Sequence, residues 1–211
     1  MSAKPDFILE PAALPTRWQR FSARVLRLIG WRVRFAPLPG PCGVVVVYPH
    51  TSNWDFVIGL FAKWTIGVRF RWLGKEALFR GVSGALLGPF LRAWGGIPVE
   101  RGVQTGAIPR LAQDMRAGGY WLALAPEGTR KYRPGWRSGF YHIAVGADVP
   151  LGMACIDYAK KEVRLVDYLQ LSGDVERDMA AVRAVFPEAC GYRPECAAPI
   201  TLVTAKDKKA A

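Results

Sequence analysis

The chain has 211 residues, 51% of them hydrophobic and 22% charged, which is enough apolar sequence for one sizeable globular core and argues against disorder. Its 29 Lys and Arg against 17 Asp and Glu give a formal net charge of +12, so we expect an anionic partner: a phosphorylated small molecule, an acidic membrane surface or nucleic acid. The four scattered cysteines argue against a zinc site, and no segment reaches the roughly 18 uninterrupted apolar residues of a membrane span, which predicts a cytoplasmic protein with peripheral membrane contact at most.

Residues 17–35 are predicted to form the first helix. Apolar residues recur at three- and four-residue steps, and arginines follow the same steps one position earlier. The two series are Trp18, Phe21, Val25 and Leu28, and Arg17, Arg20, Arg24 and Arg27. The pattern fits a surface helix packed on the domain or a helix lying in a membrane interface, and the tryptophans and the lack of acidic residues favour the membrane. We therefore interpret residues 1–36 as a basic amphipathic segment in contact with a membrane surface.

Strands and helices alternate after this segment. GVVVVYP, residues 43–49, is typical of a strand buried on both faces, as in parallel sheets. Further strands are predicted within 68–74, 95–101, 118–130 and 138–158, and helices within 51–64, 81–96, 103–117 and the first half of 138–158. The alternation predicts an α/β domain over 37–204, with a mixed, largely parallel central sheet flanked by helices, followed by a basic frayed tail at 205–211.

The strand 43–49 ends directly before His50, and Asp55 follows five positions later. Five steps of about 100° on one helix would separate the two side chains, so they can pair only across a strand-to-helix turn. There the carboxylate can hold one imidazole nitrogen and leave the other free to accept a proton. The alternative is a capping box, with Ser52 as the helix cap and Asp55 as its acidic partner. The spacing by itself leaves both interpretations open.

A second polar strand tip follows the apolar run WLALA, residues 121–125. It consists of Pro126, Glu127, Gly128, Thr129 and Arg130. Ligands gather at the carboxyl ends of parallel strands, glycine allows close backbone approach, and arginine can hold a phosphate with two parallel hydrogen bonds. The alternative is a surface turn with a solvated ion pair.

Together these segments resemble the glycerolipid (lysophospholipid) acyltransferase family. His50-Thr-Ser-Asn-Trp-Asp55 looks like its HxxxxD signature, and Pro126-Glu-Gly-Thr-Arg130 like its PEGTR block. Gly96-Ile-Pro-Val-Glu-Arg101 and Val149-Pro150-Leu151 are similar to the second and fourth blocks. The short N-terminal segment and the stretch rich in arginine and aromatic residues after the third block resemble a compact bacterial subgroup of the 1-acylglycerol-3-phosphate acyltransferase type.

The resemblance implies transfer of a fatty acyl group from a thioester to a glycerolipid hydroxyl. His50 would be the general base and Asp55 would orient it. The implied acceptor site consists of Lys75, Arg101, Glu127, Gly128, Thr129 and Arg130, with the arginines on the phosphate. Lys75 equally fits a solvated surface lysine. No metal and no cofactor is implied, since acyl-CoA or acyl-ACP serves as the co-substrate.

Several matters stay open at this point. The acceptor is expected to be lysophosphatidic acid, with a lyso-ornithine lipid, another lysophospholipid or a non-glycerol alcohol as alternatives. The implied partners are this lysophospholipid, acyl-CoA or acyl carrier protein, and an anionic membrane surface, and the expected location is peripheral, on the cytoplasmic side of the inner membrane. An inactive membrane-binding scaffold is the other alternative, although the retention of both polar blocks argues against it.

Three further expectations follow from the residues. Nucleic acid is not expected as a partner, because the arginines lack a recognition motif and the acidic Asp55 and Glu127 would oppose a phosphate backbone. The apolar residues 84–94 are expected to pack against the sheet and to line an acyl groove. His142, on an apolar helix, is expected to be a core histidine.

Overall fold

The computed structural model describes residues 7–99, 107–186 and 190–203, and within them it has an α/β architecture. The α-helices are α1 (Arg17–Leu28), α2 (Trp54–Ile66), α3 (Gly81–Ala93), α4 (Ala107–Gly118), α5 (Gly139–Ala147) and α6 (Val175–Val185). The strands are β1 (Arg32–Phe35), β2 (Gly43–Tyr48), β3 (Phe70–Lys75), β4 (Gly96–Val99), β5 (Trp121–Leu124), β6 (Leu151–Asp157) and β7 (Glu162–Leu169). The predicted alternation of strands and helices is confirmed.

The seven strands form one mixed sheet in the order β1-β7-β6-β2-β5-β3-β4. Strands β6, β2, β5, β3 and β4 run parallel to one another, while β7 is antiparallel to β6 and β1 is parallel to β7. The largely parallel sheet expected from the sequence is therefore confirmed. Five strands end at the same edge of the sheet, and the loops that follow them lie there together.

The central strand β2 explains the packing of both faces of the sheet. Val44 and Val46 face one hydrophobic cluster, which includes residues of α4, α5 and α6, and Val45 packs in a second cluster on the opposite face. Helix α2 covers that opposite face through Ile58 and Ala62. Burying a valine completely stabilises a fold by about 1.5–3 kcal/mol, and alternate side chains of a strand point to opposite faces. The run of valines thus holds a three-layer arrangement together.

The prediction of one helix over residues 17–35 is wrong. Helix α1 ends at Leu28, Gly30 takes a left-handed conformation with φ of 82°, and the chain then forms β1, which pairs with β7. Glycine adopts such a conformation without the steric cost that other residues carry. The pairing of β1 with a strand 130 residues later is a long-range contact, so the local periodicity could not show it.

Helix α1 packs on α2 with a different side from the one that carries Trp18, Phe21 and Leu28. Its buried residues are Gln19, Ser22, Ala23 and Leu26. The amide of Gln19 donates to the carbonyl oxygens of Thr65 and Ile66 at the end of α2, at 3.3 Å each. The apolar residues Trp18, Phe21 and Leu28 are exposed. The apolar stripe is therefore an outer surface of the described molecule and not its packing face.

The expectation that residues 84–94 pack against the sheet is also wrong for their large apolar side chains. Leu86, Leu87 and Phe90 of α3 are each more than half exposed. A ladder of ring contacts joins this surface to α1: Phe90 lies against Trp94, Trp94 against Trp64, and Trp64 against Trp18, with centroid distances of 5.3–6.3 Å. No helix within the described residues combines the length and the apolar composition that crossing a bilayer requires.

Candidate active site

Three neighbouring strands deliver polar side chains to one end of the sheet. His50 follows β2, Glu127 follows β5, and Tyr158 directly follows β6. In the sheet β2 lies between β5 and β6, and all three strands run in the same direction. The loops at the carboxyl ends of parallel strands are where ligands bind in open α/β sheets. The sequence had indicated two of these three tips.

His50 and Asp55 pair across the turn between β2 and α2. The Nδ1 atom of His50 lies 3.2 Å from Oδ2 of Asp55, which sits in the first turn of α2. Asp55 is buried, while about 20% of the His50 side chain is exposed. Because Nδ1 faces the carboxylate, Nε2 is the ring nitrogen that is left to take a proton from a bound molecule.

Asp55 also satisfies backbone donors in the same turn. Its Oδ2 accepts hydrogen bonds from the N–H groups of Thr51 at 2.7 Å and Ser52 at 2.8 Å. The capping-box alternative is shifted by one residue: the N-cap of α2 is Asn53, and the Ser52 hydroxyl accepts from the N–H of Trp54 at 3.2 Å. The turn and the histidine therefore share one carboxylate, which combines the two interpretations that the spacing left open.

These donors determine the protonation of Asp55. Burial would by itself raise the pKa of Asp55, but hydrogen bonds from His50, from the Ser52 backbone and from Tyr158 outweigh it and hold the pKa below its ordinary value. The N-terminal position on α2 favours negative charge as well. Asp55 is thus an anion throughout the neutral range.

Glu127 lies inside the protein, with only 1% of the residue exposed. Its Oε2 accepts from the N–H of His50 at 2.6 Å, and its Oε1 accepts from the N–H of Ala198 at 3.0 Å. Burial raises the pKa of Glu127 to about 7, although both hydrogen bonds and the nearby His50 act in the opposite direction. One carboxylate thus joins the tips of β2 and β5 to the C-terminal segment.

The rest of this loop faces outward. Gly128 is left-handed, with φ of 66°, and a side chain there would lie 2.9 Å from Nε of Arg137. The hydroxyl of Thr129 accepts from the N–H of Lys131, and Arg130 is exposed. Arg137 is exposed too, and its own N–H donates to the carbonyl oxygen of Pro126. Arg137 therefore lies beside Gly128, whereas the motif indicated only Arg130.

Two further predicted acceptor residues are Arg101 and Lys75. Arg101 lies outside the described residues. For Lys75 only the backbone is described: it ends β3 and pairs with Val99 of β4. Both therefore stay predictions. His142, expected in the core, is exposed on α5, so that expectation is wrong.

A mostly apolar cavity of about 200 Å³ opens beside the histidine. It runs between α2 and the sheet, with His50 and Asp55 among its lining residues and Lys63 and Ile66 of the last turns of α2 further along. Its apolar lining includes Val45, Val47, Phe56, Leu60, Ala62, Phe70, Trp72, Ala123, Ala154 and Ile156. None of residues 84–94 is among its lining residues, so the groove expected from them is formed by α2 and the sheet instead.

Sequence reasoning missed three contributors to this site. Tyr158 donates its hydroxyl to Oδ1 of Asp55 at 2.7 Å, Arg137 lies against Gly128, and Ala198 holds Glu127. Tyr158 lies 103 positions after Asp55, and Ala198 lies 71 positions after Glu127. The stretch around Arg137 was noted as rich in arginine and aromatic residues, but that composition does not select one arginine.

The fold and the site define an α/β domain in which a histidine paired with a buried aspartate stands at the mouth of an apolar cavity. The family model described as Acyltransferase matches residues 36–156, which is more than half of the chain. The chain therefore belongs to the acyltransferase family. A search of curated proteins found no match.

Proposed function

We propose that the protein is an O-acyltransferase that moves a fatty acyl group from acyl-CoA or acyl-ACP to the hydroxyl of a lysophospholipid such as 1-acylglycerol-3-phosphate. The observation that carries the proposal is the position of the His50–Asp55 pair at the apolar cavity. A base beside a hydrocarbon site suits a reaction between a hydroxyl and a fatty acyl thioester. Membership of the acyltransferase family supports acyl transfer in general.

The proposed reaction is a direct transfer. Nε2 of His50 accepts the proton of the acceptor hydroxyl while the oxygen attacks the thioester carbonyl carbon. The new C–O bond forms, the C–S bond breaks, and the departing thiolate receives the proton from His50. A positioned base of this kind is worth about 10²–10⁴ in rate, and Asp55 stabilises the imidazolium that forms. No acyl-enzyme is required, because the thioester is already activated.

The cavity is proposed to hold the acyl chain of the donor. It follows α2 from Asp55 to Ile66, eleven residues that rise about 16 Å in total, which accommodates much of a fatty acyl chain. Each buried methylene contributes about 0.8 kcal/mol to binding in such an apolar environment. The thioester carbonyl would then lie at the mouth of the cavity, within reach of His50.

The acceptor is proposed to bind on the outward side of the loop after β5. Arg130 and Arg137 are exposed cations on this loop, and the lack of a side chain at Gly128 makes room for the Arg137 side chain. Lys75, Arg101 and Thr129 are further proposed contacts. A phosphate between the arginines would account for the choice of lysophosphatidic acid. A different acceptor, such as a lyso-ornithine lipid, is the alternative within the same chemistry.

A membrane surface is the proposed location, on its cytoplasmic side. The exposed apolar side chains of α1 and α3 are linked by the ring contacts of Trp18, Trp64, Trp94 and Phe90, and exposed arginines of α1 lie beside them. Apolar residues that enter the headgroup region and cations that face anionic lipids together produce peripheral binding. The lysophospholipid acceptor would be met in that bilayer.

The test is thiol release from palmitoyl-CoA by purified protein on anionic or zwitterionic liposomes, with and without lysophosphatidic acid. We expect release that requires the acceptor, is faster on anionic liposomes, and falls at least 100-fold in His50→Ala. The other histidine provides the matched control, because His142→Ala removes an exposed imidazole on α5 and should leave the rate unchanged. Release without an acceptor would indicate a thioesterase. Liposome binding without turnover on any lysolipid or with acyl-ACP would indicate a scaffold.

A further inference from the structure

Tyr158 touches the side of Asp55 that faces away from the histidine. Its hydroxyl donates a 2.7 Å hydrogen bond to Oδ1, whereas His50, Thr51 and Ser52 all converge on Oδ2. Tyr158 reaches this position from the tip of β6, next to β2 in the sheet. Within the described residues, Tyr158 is the only side chain besides His50 that contacts the Asp55 carboxylate with a hydrogen bond or ion pair.

Two ring contacts and one backbone hydrogen bond hold Tyr158 in place. Trp31, in the turn between α1 and β1, contacts it edge-on at a centroid distance of 4.9 Å, and Tyr192 of the C-terminal segment lies 5.3 Å away. The N–H of Tyr158 donates to the carbonyl oxygen of Cys190 at 2.8 Å. A phenol packed between two aromatic rings has little freedom to rotate, so its hydroxyl is a fixed point for the carboxylate.

We propose that Tyr158 is a positioning residue for the His50–Asp55 pair: its hydroxyl fixes the rotation of the carboxylate so that Oδ2 faces Nδ1 of His50. The proposal rests on the proposed function of His50 as a general base. The terminal torsion of an aspartate is broad, so an Asp55 held at one oxygen only would rotate more freely. Three donors on one oxygen and one on the other define a single orientation.

The electrostatic surroundings agree with this role. Burial, followed by the hydrogen bond to Asp55, raises the pKa of Tyr158 well above its ordinary value, so the phenol is a neutral donor over the whole working range. The ionisable side chains around Asp55 are His50, Tyr158 and, further away, Glu127 after β5, with Tyr192 beside Tyr158. Of these, Tyr158 is a neutral donor that lowers the pKa of Asp55 without adding charge.

The test compares Tyr158→Phe with Tyr168→Phe in the full chain. Each change removes one 2.7 Å phenol hydrogen bond and keeps the ring, but the hydroxyl of Tyr168 donates to the carbonyl oxygen of Ala36, away from the site. For Tyr158→Phe we expect kcat to fall roughly three- to tenfold with KM within twofold, because an aspartate hydrogen bond is lost while no substrate contact changes. Tyr168→Phe should keep the wild-type kcat.

The pH profile separates positioning from a merely structural role. Loss of the Tyr158 donor raises the pKa of Asp55, so the acid limb of kcat against pH should move to higher pH. The ring signals of His50 in NMR report its pairing with Asp55 without any substrate, and the chain has only one other histidine to distinguish. These signals should change position in Tyr158→Phe and stay in place in Tyr168→Phe.

The outcomes are distinct. A change in the His50 ring signals in Tyr158→Phe but not in Tyr168→Phe supports the proposal, even if no acyl acceptor is found and the proposed function fails. Unchanged His50 signals and an unchanged kcat would overturn it. A loss of stability equal in the two variants, with no change in either the His50 signals or kcat, would overturn it as well, because Tyr158 would then only support the fold.

Discussion

The loops after β2 and β5 both place a proline and then polar residues at the end of a buried strand, but their ionisable side chains lie in different environments. At the tip of β2, His50 and Asp55 are paired and held by backbone donors, and only the imidazole is partly exposed. At the tip of β5, Glu127 points into the protein while Arg130 points out of it. The first loop thus presents a partly exposed imidazole held by a buried carboxylate. The second loop has a buried carboxylate and an exposed arginine.

Residues of one short motif, such as Glu127 and Arg130, therefore need not share one role. Both oxygens of Glu127 are occupied by backbone N–H groups, one of which belongs to His50. We therefore propose that Glu127 acts on catalysis by holding His50 in place, and that Arg130 acts on acceptor affinity. The two strand tips would then differ in kinetic effect: changes at Asp55 and Glu127 alter kcat, and changes at the arginines alter KM.

The largest expected effect is that of Asp55→Asn. An amide cannot stabilise the imidazolium, and its NH₂ group would oppose the N–H groups of Thr51 and Ser52, so kcat should fall by about 100-fold or more. Steady-state acyl transfer measures it. Asp148→Asn is the matched control, because Asp148 is exposed and accepts only from the Gln170 side chain in the described contacts. A fall of less than fivefold would remove Asp55 from the proposed mechanism.

The next effect is expected from Arg130→Ala and Arg137→Ala. Charge-assisted hydrogen bonds to phosphate contribute about 1.5–3 kcal/mol, so each change should raise KM for lysophosphatidic acid roughly tenfold or more and leave kcat within a few-fold. Arg133→Ala, an exposed arginine of the same stretch, is the control. An uncharged acceptor such as a monoacylglycerol should lose the effect. Equal losses on both acceptors would mean that the arginines support the loop and not the phosphate.

A smaller effect is expected from Glu127→Gln. Its amide can accept from only one of the two N–H groups, which leaves the loop of His50 less well held, so kcat should fall roughly five- to tenfold with little change in KM. The measurement is the split between kcat and KM on lysophosphatidic acid. If KM rose while kcat stayed constant, Glu127 would belong to the acceptor site, as the motif first suggested.

The last prediction concerns stability against pH and not the reaction rate. The pKa of Glu127 rises from 4.5 to about 7 on folding, so the folded state binds its proton more tightly, and the associated stability is present at low pH and lost as the pH rises through about 7. The loss amounts to about 3.5 kcal/mol at most, from roughly 1.4 kcal/mol per pKa unit. Urea unfolding at pH 5 and pH 8 should show this decline in the wild type and a flatter dependence in Glu127→Gln. A wild-type stability that rises over this interval would contradict the role of Glu127 in it.

The two strand tips also differ in how far the sequence predicted them. His50 and Asp55 lie within a strand, a turn and a helix start that are a few residues long, so spacing alone placed both side chains at one turn, and the structure shows that they pair. The burial of Glu127 depends on Ala198, 71 positions later, and no local pattern carries that information. The same holds for Tyr158 on Asp55 and for Arg137 on Gly128.

Helix α1 shows the same limit in the packing of the fold. The apolar stripe of its sequence contains Trp18 and Phe21, and the usual rule assigns such a stripe to the core. The structure instead buries Ser22, Ala23 and Leu26 and leaves Trp18 and Phe21 outside. Small residues allow close contact between helices, and a membrane surface is our proposed partner for the outer face. Periodicity shows that two faces exist, but not which of them meets the protein.

The sequence by itself determined the α/β class, the largely parallel sheet, the two polar strand tips and the resemblance that led to the acyltransferase family. These follow from short-range patterns: valine-rich strands, helix spacing, and motifs a few residues long. Tertiary structure alone decided the inward turn of Glu127, the second donor on Asp55, the cavity along α2 and the edge strand β1. Each of these depends on residues that are far apart in the chain and come together only when the strands assemble into the sheet. Local conformation does not specify such contacts, because they arise from packing between distant segments.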